Sequence, residues 1–555
     1  MAERNQEQRS TPVHWADQTA LRVVSERGPI GDGKPHFTCA SGITPSGVIH
    51  IGNFREIISV DLVVRALRDA GHPVRFIYSW DDFDVFRKVP KNMPEQEMLT
   101  AHLRWPITDI PDPYGKDGSY AEHNERVLEA VLPEVGVVPE YIYQTRRYRS
   151  GAYAGGIRRA LEAKETIRGL LDEHRTTPLP EDWWPVSVFS TFTHKDTTTV
   201  LNWDGEWGLT YRCDETGNEE TVDLRETDVV KLPWRVDWPM RWMVEQVDFE
   251  PAGKEHHSAG GSFDTAKTIS KAVYDYDAPV TFKYDFISIK GRGGKISSSS
   301  GEVVDLADVL EVYEPEVVRY LFAGTRPNAE FAISFDLDVI KIYEDYDRCE
   351  RYYFGTEEVS EKRRAKEHRT YELSQLPERA SQLRNAANNA DDLVQMQPLQ
   401  IPFRTLCNFL MITAGDIDAA FDRFEEFDRA KHADQIPRLE RRARCAWSWI
   451  TNFAPEDFRF ELKSGSDAPV ELGDEERRAV ELLAQEIESG LGSHDEKSMQ
   501  NRVYEIAEEA GVDKKQIFGV MYAILIGKER GPRLGGFLLT IGEDRLLEIL
   551  SPYRA

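Results

Sequence analysis

Residues 36–80, HFTCASGITPSGVIHIGNFREIISVDLVVRALRDAGHPVRFIYSW, limit the fold more than any other part of this 555-residue chain. Phe37 to Ala40 form a short apolar run, and glycines and Pro45 punctuate the loop after it. Ile57, Ile58, Asp61, Leu62, Arg65 and Ala66 then recur at helical spacing. Gly71 stops that helix, and Pro73 to Trp80 read as a second buried strand. Two strands joined through one helix lie parallel, and such a sheet takes its ligand at the carboxyl ends of its strands.

The rest of the chain sorts by texture, and its length implies about three or four units. Residues 1–35 read as an N-terminal extension, and 36–152 as the first half of a Rossmann-like parallel-sheet domain. Residues 153–235 are threonine- and aromatic-rich, with turn signals at Asp204-Gly205 and Thr216-Gly217-Asn218, and predict a small β-rich insertion. The α/β texture returns over 236–310, residues 311–360 link, and 361–555 predict an all-α C-terminal domain with a surface linker at 464–476. The fold class expected is therefore α/β followed by all-α.

Composition excludes some classes of function. No apolar run approaches the roughly 18 residues of a membrane span. The first residues lack the basic-then-apolar order of a secretory signal, which predicts a soluble, cytoplasmic protein. The five cysteines are scattered without a CxxC pair, so no metal site is expected. Net charge is −27, from 96 acidic and 69 basic residues, which is unusual for a partner of nucleic acid. Arginine outnumbers lysine about two to one. An acidic, lysine-poor surface suits a high-salt cytoplasm, because net charge keeps a protein soluble there. A local basic track would still serve a polyanion.

Two segments carry chemistry. In Ser41 to Asn53, small residues allow backbone to approach a triphosphate, and the helix opening there offers free N–H groups to anionic oxygens. His50 sits at the helix mouth, placed to donate to an α-phosphate, and Asn53 stands one turn later. Ile289 to Gly301 is glycine-rich, with Lys295 ahead of a run of hydroxyls, and suits closure on a pyrophosphate leaving group.

Together these segments resemble the paired signatures of class I aminoacyl-tRNA synthetases. His50-Ile51-Gly52-Asn53 is similar to the HIGH motif and Lys295-Ile296-Ser297-Ser298-Ser299 to KMSKS, with serine where the family has its second lysine. The resemblance narrows to the class I lysyl-tRNA synthetases through YSWDDFDVFRKVP (78–90), IPDPYGKDGSYAEH (110–123), LPWRVDWPMRW (232–242), GKEHHSAGGSFDTA (253–266), FKYDF (282–286) and IGKERGPRLGGF (526–537). It implies ATP-dependent activation of lysine and its transfer to the 3′ end of tRNA(Lys). Magnesium accompanies the ATP, and a monomer is the working expectation.

The resemblance also implies residue roles. His50, Asn53, Lys295, Ser297 and Ser299 are catalytic candidates. Pro45, Gly47, Gly52, Gly260, Gly261 and Asp264 join His50, Asn53 and Lys295 as candidates for ATP. Gly42, Thr44, Trp234, Trp238, His256 and Tyr284 are candidates for lysine, with Asp81, or its neighbours Asp82 and Asp84, as acceptor for the ammonium. Tyr120 and His123 have no assigned role. Arg438, Arg441, Arg442 and Arg444 precede Trp447 and Trp449, a set that suits either unpaired anticodon bases or a helix core under an arginine face. Relatives often carry a zinc ribbon built from two cysteine pairs. Here only Cys213 remains, with His194 the one nitrogen ligand nearby, so a metal-free insertion held by Trp183, Trp184, Phe189, Phe192, Trp203 and Trp207 is expected. A synthetase for glutamate, arginine or cysteine, a nucleotidylyltransferase without tRNA, and a non-catalytic tRNA-binding paralogue are the rival readings.

Overall fold

The computed structural model describes residues 12–31, 33–290, 303–386 and 390–554, apart from the side chains of 390–392. The chain divides into two compact units. The first takes the described residues up to Leu310 together with Pro315–Ile333 and Cys349–Gln395. The second takes Glu311–Glu314, Ser334–Arg348 and the chain from Met396 onward.

At the centre of the first unit lies a four-stranded sheet. Its strands are β1 (Phe37–Ile43), β2 (Val74–Trp80), β3 (Glu140–Tyr143) and β4 (Val247–Phe249), in the order β3-β2-β1-β4. Every neighbouring pair is parallel, with Phe37 opposite Val74 and Ile43 opposite Trp80. The crossover between β1 and β2 is the helix α1 (Ile51–Asp69). Thirteen of its nineteen residues are buried, so it lies inside the unit and not on its surface. The carboxylate of Asp61 on this helix is matched inside the unit, where the wholly buried Arg319 donates to it at 2.7 Å. The strand order turns back between β1 and β4, and that switch point opens a crevice at their carboxyl ends. The helices α2 (Trp234–Glu245) and α3 (Ser262–Tyr274) flank β4 in sequence.

Residues 15–27, read as part of an extension, form a helix whose Arg27 donates to Asp248, within β4, at 3.1 Å. The helix Glu361–Ser374 also belongs to this unit, because Arg369 donates to Asp17 at 2.8 Å and Asp69 at 2.9 Å. Among the described residues no helix is long and apolar enough to cross a membrane.

The insertion is a meander of Thr198–Trp203, Gly208–Cys213 and Glu219–Asp223, with Ser187–Val188 paired to Val230–Lys231. Phe189 and Tyr211 are buried in its core with Trp183, Trp184, Trp203 and Trp207 packed around them, whereas Phe192, expected there, is 44% exposed. Two turns of the same form lie next to Cys213. In one, His194 N donates to Ser190 O at 2.7 Å and Ser190 N to Lys195 O at 2.8 Å. In the other, Gly217 N donates to Cys213 O at 2.8 Å and Cys213 N to Asn218 O at 2.8 Å. His194 and Gly217 both take positive φ, 61° and 74°. Thr193 Oγ1 lies 3.8 Å from Cys213 Sγ. Burial would raise that thiol, but hydrogen bonds from Ser190, Thr216 and the N–H groups of Thr216 and Glu215 bring it to about 7. The His194 ring turns to Trp105, 4.6 Å away.

From Met396 the described residues of the second unit form helices joined by turns and loops, with no strand among them. Arg442 is buried and paired with Glu314 at 2.8 Å and Asp347 at 2.6 Å, and buried Trp449 donates to Phe335 O at 2.9 Å. Those two side chains are core and face no RNA. The stretch 464–476 is no free linker either, since Val470 N donates to Tyr553 Oη at 2.6 Å within the same unit.

Candidate active site

The loop after β1 enters α1 through His50, the residue that caps the helix with extended backbone and without a side-chain cap bond. No acidic residue occupies the first turn, so the positive end of the helix is left to a ligand. The His50 ring is largely buried, which lowers its pKa and keeps the imidazole neutral, and its Nδ1 has no hydrogen-bond partner among the described residues. The loop is held from behind by a segment that sequence could not interpret. Tyr120 Oη donates to Ser46 O at 2.8 Å, and Asn124 Nδ2 to Pro45 O at 3.4 Å. Gly47 sits against Pro90, 3.5 Å from where a Cβ would stand. His123 bonds Asp117 at 2.9 Å, and Asp112 accepts three backbone N–H groups, so this carboxylate–histidine cluster closes its own loop.

A cavity of about 790 Å³ gathers Gly42, Thr44, Asp81, Trp234 and His256 beside Asp84 and Lys231. Its size falls within the roughly 300–1,000 Å³ of small-molecule sites. Gly42 is obligatory there, because a Cβ would stand 2.7 Å from Ser79 O on the neighbouring strand. Trp234 stacks on Trp238 at 4.8 Å, and His256 meets both rings edge-on at 5.6 and 6.2 Å. Burial lowers the His256 pKa, so this wall is neutral and aromatic. Arg175 and Arg235 line the same cavity and suit phosphate oxygens.

The acidic turn after β2 is largely matched internally. Asp81 receives Arg241 at 2.6 Å, Asp82 receives Thr145 N at 2.8 Å, and Asp84 receives the Thr44 hydroxyl at 2.8 Å as well as Lys231. Glu56 and Glu250, by contrast, have no basic partner among the described residues. Glu56 Oε1 accepts from Ser41 Oγ at 2.8 Å and Gly42 N at 3.3 Å, and its Oε2 from Tyr284 Oη at 2.5 Å. Glu250 accepts the indole N–H groups of Trp238 at 3.0 Å and Trp242 at 2.6 Å. Burial raises both carboxyls, Glu250 to about 7. Sequence reasoning missed Glu56, although a signal exists: it lies three residues after Asn53 and four after Gly52, on the helix face that meets the loop.

Gly260 N donates to Asp264 at 3.2 Å, and Gly261 precedes α3, a second helix start without a side-chain cap. Lys295, Ser297 and Ser299 lie outside the described residues.

A family model described as tRNA synthetases class I (K) matches residues 13–377. The chain is 50% identical over 545 residues to the lysine–tRNA ligase of Treponema pallidum, covering 98% of this chain and 99% of the relative. It is 50% identical over 541 residues to that of Borreliella burgdorferi, with 98% and 99% covered. Against that of Pyrococcus horikoshii it is 39% identical over 552 residues, with 97% and 99% covered.

Proposed function

Because this chain belongs to the class I lysyl-tRNA synthetases and is a lysine–tRNA ligase, we propose that the β1–β4 crevice binds lysine with Glu56 as the acceptor for its side-chain ammonium. One observation carries this assignment: Glu56 lies directly behind Gly42, which lines the cavity, and is fixed by three donors, none of them a cation. A buried carboxylate without a counter-ion is costly, and a substrate ammonium removes the cost. Trp234, Trp238 and His256 then wall the aliphatic stem, where aromatic faces also favour a cation. Gly42 and Thr44 stand where backbone and hydroxyl meet the amino acid's polar end.

ATP enters with magnesium as part of the substrate. Its phosphates meet the loop at Pro45 and Gly47, the open start of α1 at Gly52 and Asn53, and His50, while Gly260, Gly261 and Asp264 serve the nucleoside side. The lysine carboxylate attacks the α-phosphorus, lysyl-adenylate forms and pyrophosphate leaves toward Lys295, Ser297 and Ser299. A tRNA 3′-terminal hydroxyl then takes the lysyl group and AMP departs. Positioning and fixed charge supply the catalysis, without a covalent enzyme intermediate. The second, helical unit receives the anticodon end of tRNA(Lys), and the enzyme works in the cytoplasm.

The test is ATP–pyrophosphate exchange with each natural amino acid, run with and without tRNA. Lysine alone is expected to stimulate exchange strongly. Equal or greater stimulation by glutamate or arginine overturns the assignment of the crevice.

A further inference from the structure

One buried cation on α1 lies outside the crevice. Arg55, next to Glu56 in the chain, is 2% exposed. Its guanidinium makes no ion pair among the described residues and donates instead to five backbone carbonyls. Nη1 reaches Asp285 O at 2.7 Å and Phe286 O at 2.9 Å. Nη2 reaches Pro327 O and Ala329 O at 2.6 Å each, and Arg326 O at 3.3 Å. The Phe331 ring centre stands 5.2 Å from the guanidinium carbon. Burial lowers the pKa to about 10, so the cation persists at neutral pH. A buried cation is costly, and five carbonyl dipoles offset that cost here in place of a counter-ion.

The positions of those carbonyls show what the side chain fixes. Asp285 and Phe286 precede the strand β5 (Ile287–Lys290), and Arg326, Pro327 and Ala329 precede its partner β6 (Phe331–Ser334). Asp285 N also donates to Pro327 O at 2.9 Å, which joins the two approaches at the guanidinium. Lys290 is the last described residue before 291–302, the stretch that holds Lys295. Just past that stretch, buried Val304 accepts at its carbonyl from Ile51 N at 2.8 Å. Ile51 opens α1 and follows His50. The helix that presents His50 therefore holds the chain on both sides of the second signature, Arg55 before it and Ile51 after it. Every donor and acceptor named lies in the first unit.

We propose that Arg55 is a positioning residue for amino-acid activation, setting the two signatures in register so that Lys295 serves the pyrophosphate while His50 serves the α-phosphate. The proposal rests on the reading of Lys295 given above. Arg55 touches no substrate and acts through the approach to β5. Such placement matters, because a shift of about 1 Å can cost roughly 10²-fold in rate. Lysine cannot replace this arginine, since one ammonium centre with three N–H groups cannot serve five carbonyls spread over two segments.

The experiment is ATP–pyrophosphate exchange by full-length enzyme in the presence of tRNA(Lys). Arg55→Lys and Arg55→Gln are compared alone and combined with Lys295→Ala, each with its melting curve. Both Arg55 variants are expected to lower kcat about tenfold or more, with KM for lysine within about twofold of wild type. Lys295→Ala alone should lower kcat about 10²-fold. The double variants should stay within about threefold of Lys295→Ala, because a misplaced Lys295 has already lost its effect. Losses that multiply in the double variants overturn the proposal. A raised KM for lysine at unchanged kcat also overturns it, by placing the effect of Arg55 on the contact between Tyr284 and Glu56. A Lys295→Ala variant as fast as wild type removes the underlying reading, and the proposal with it. Loss of cooperative melting in both Arg55 variants makes the residue structural, and the proposal falls.

Discussion

Glu56 and Glu250 are two buried carboxylates with different chemistry, and each gives a test. Removing one partner of a buried ion pair costs about 3–5 kcal/mol, so Glu56→Gln should lower kcat/KM for lysine by about 10²-fold or more. ATP affinity should stay near wild type, and steady-state exchange kinetics separate the two. An unchanged KM and kcat for lysine would return the acceptor role to Asp81. Glu250 speaks through pH. Its carboxyl is raised from 4.5 to about 7 in the fold, chiefly by burial. The native state therefore holds a proton that the unfolded chain has released, and unfolding free energy falls as pH climbs from about 4.5 through 7. The loss amounts to up to about 3 kcal/mol. Glu250→Gln should match wild type in urea unfolding at pH 5 and exceed it at pH 8. A constant difference across that range would remove the assignment.

At the scale of elements, local pattern made β1, α1 and β2 legible, because apolar spacing and Gly71 are sequence-adjacent signals. The place of β4 beside β1 was not legible, since about two hundred residues separate them and nothing local records the pairing. Glu56 escaped because a glutamate inside a helix usually signals a solvated face, whereas this helix is buried nearly all round. The insertion hid its form in the same way. A search for thiols found Cys213 alone, yet the fold gives Ser190–Thr193 and Cys213–Thr216 two matching turns of the kind that present metal ligands in pairs. Three hydroxyls and one thiol are a poor donor set for zinc, which prefers thiolate and imidazole. The insertion is therefore proposed to hold by hydrogen bonds and aromatic burial. Protein purified without added metal should contain substoichiometric zinc, and the triple variant S190C/T193C/T216C should bind one ion per chain by mass spectrometry under native conditions. Stoichiometric zinc in wild type, lost on Cys213→Ala, would sink the proposal.

For the whole molecule, charge sets the conditions of stability. A chain of net charge −27 repels itself, and the screening length grows from about 3 Å at 1 M salt to about 10 Å at 0.1 M. Inactivation or cooperative unfolding is expected below about molar KCl, tracked as melting temperature against salt. Full activity with an unchanged melting temperature at low salt would refute it. If activity does require molar salt, contacts with tRNA have to outlast strong screening, which would place weight on stacking and base-edge bonds over simple phosphate attraction. The chain's path adds a historical constraint. The second unit includes Glu311–Glu314 and Ser334–Arg348, which are encoded within the stretch that builds the first. A gene cut near codon 395 would separate Arg442 from both Glu314 and Asp347, leaving a buried cation without its counter-charges. A single crossover at that point therefore breaks into the second unit's own core, because two of its segments lie on the far side of the cut.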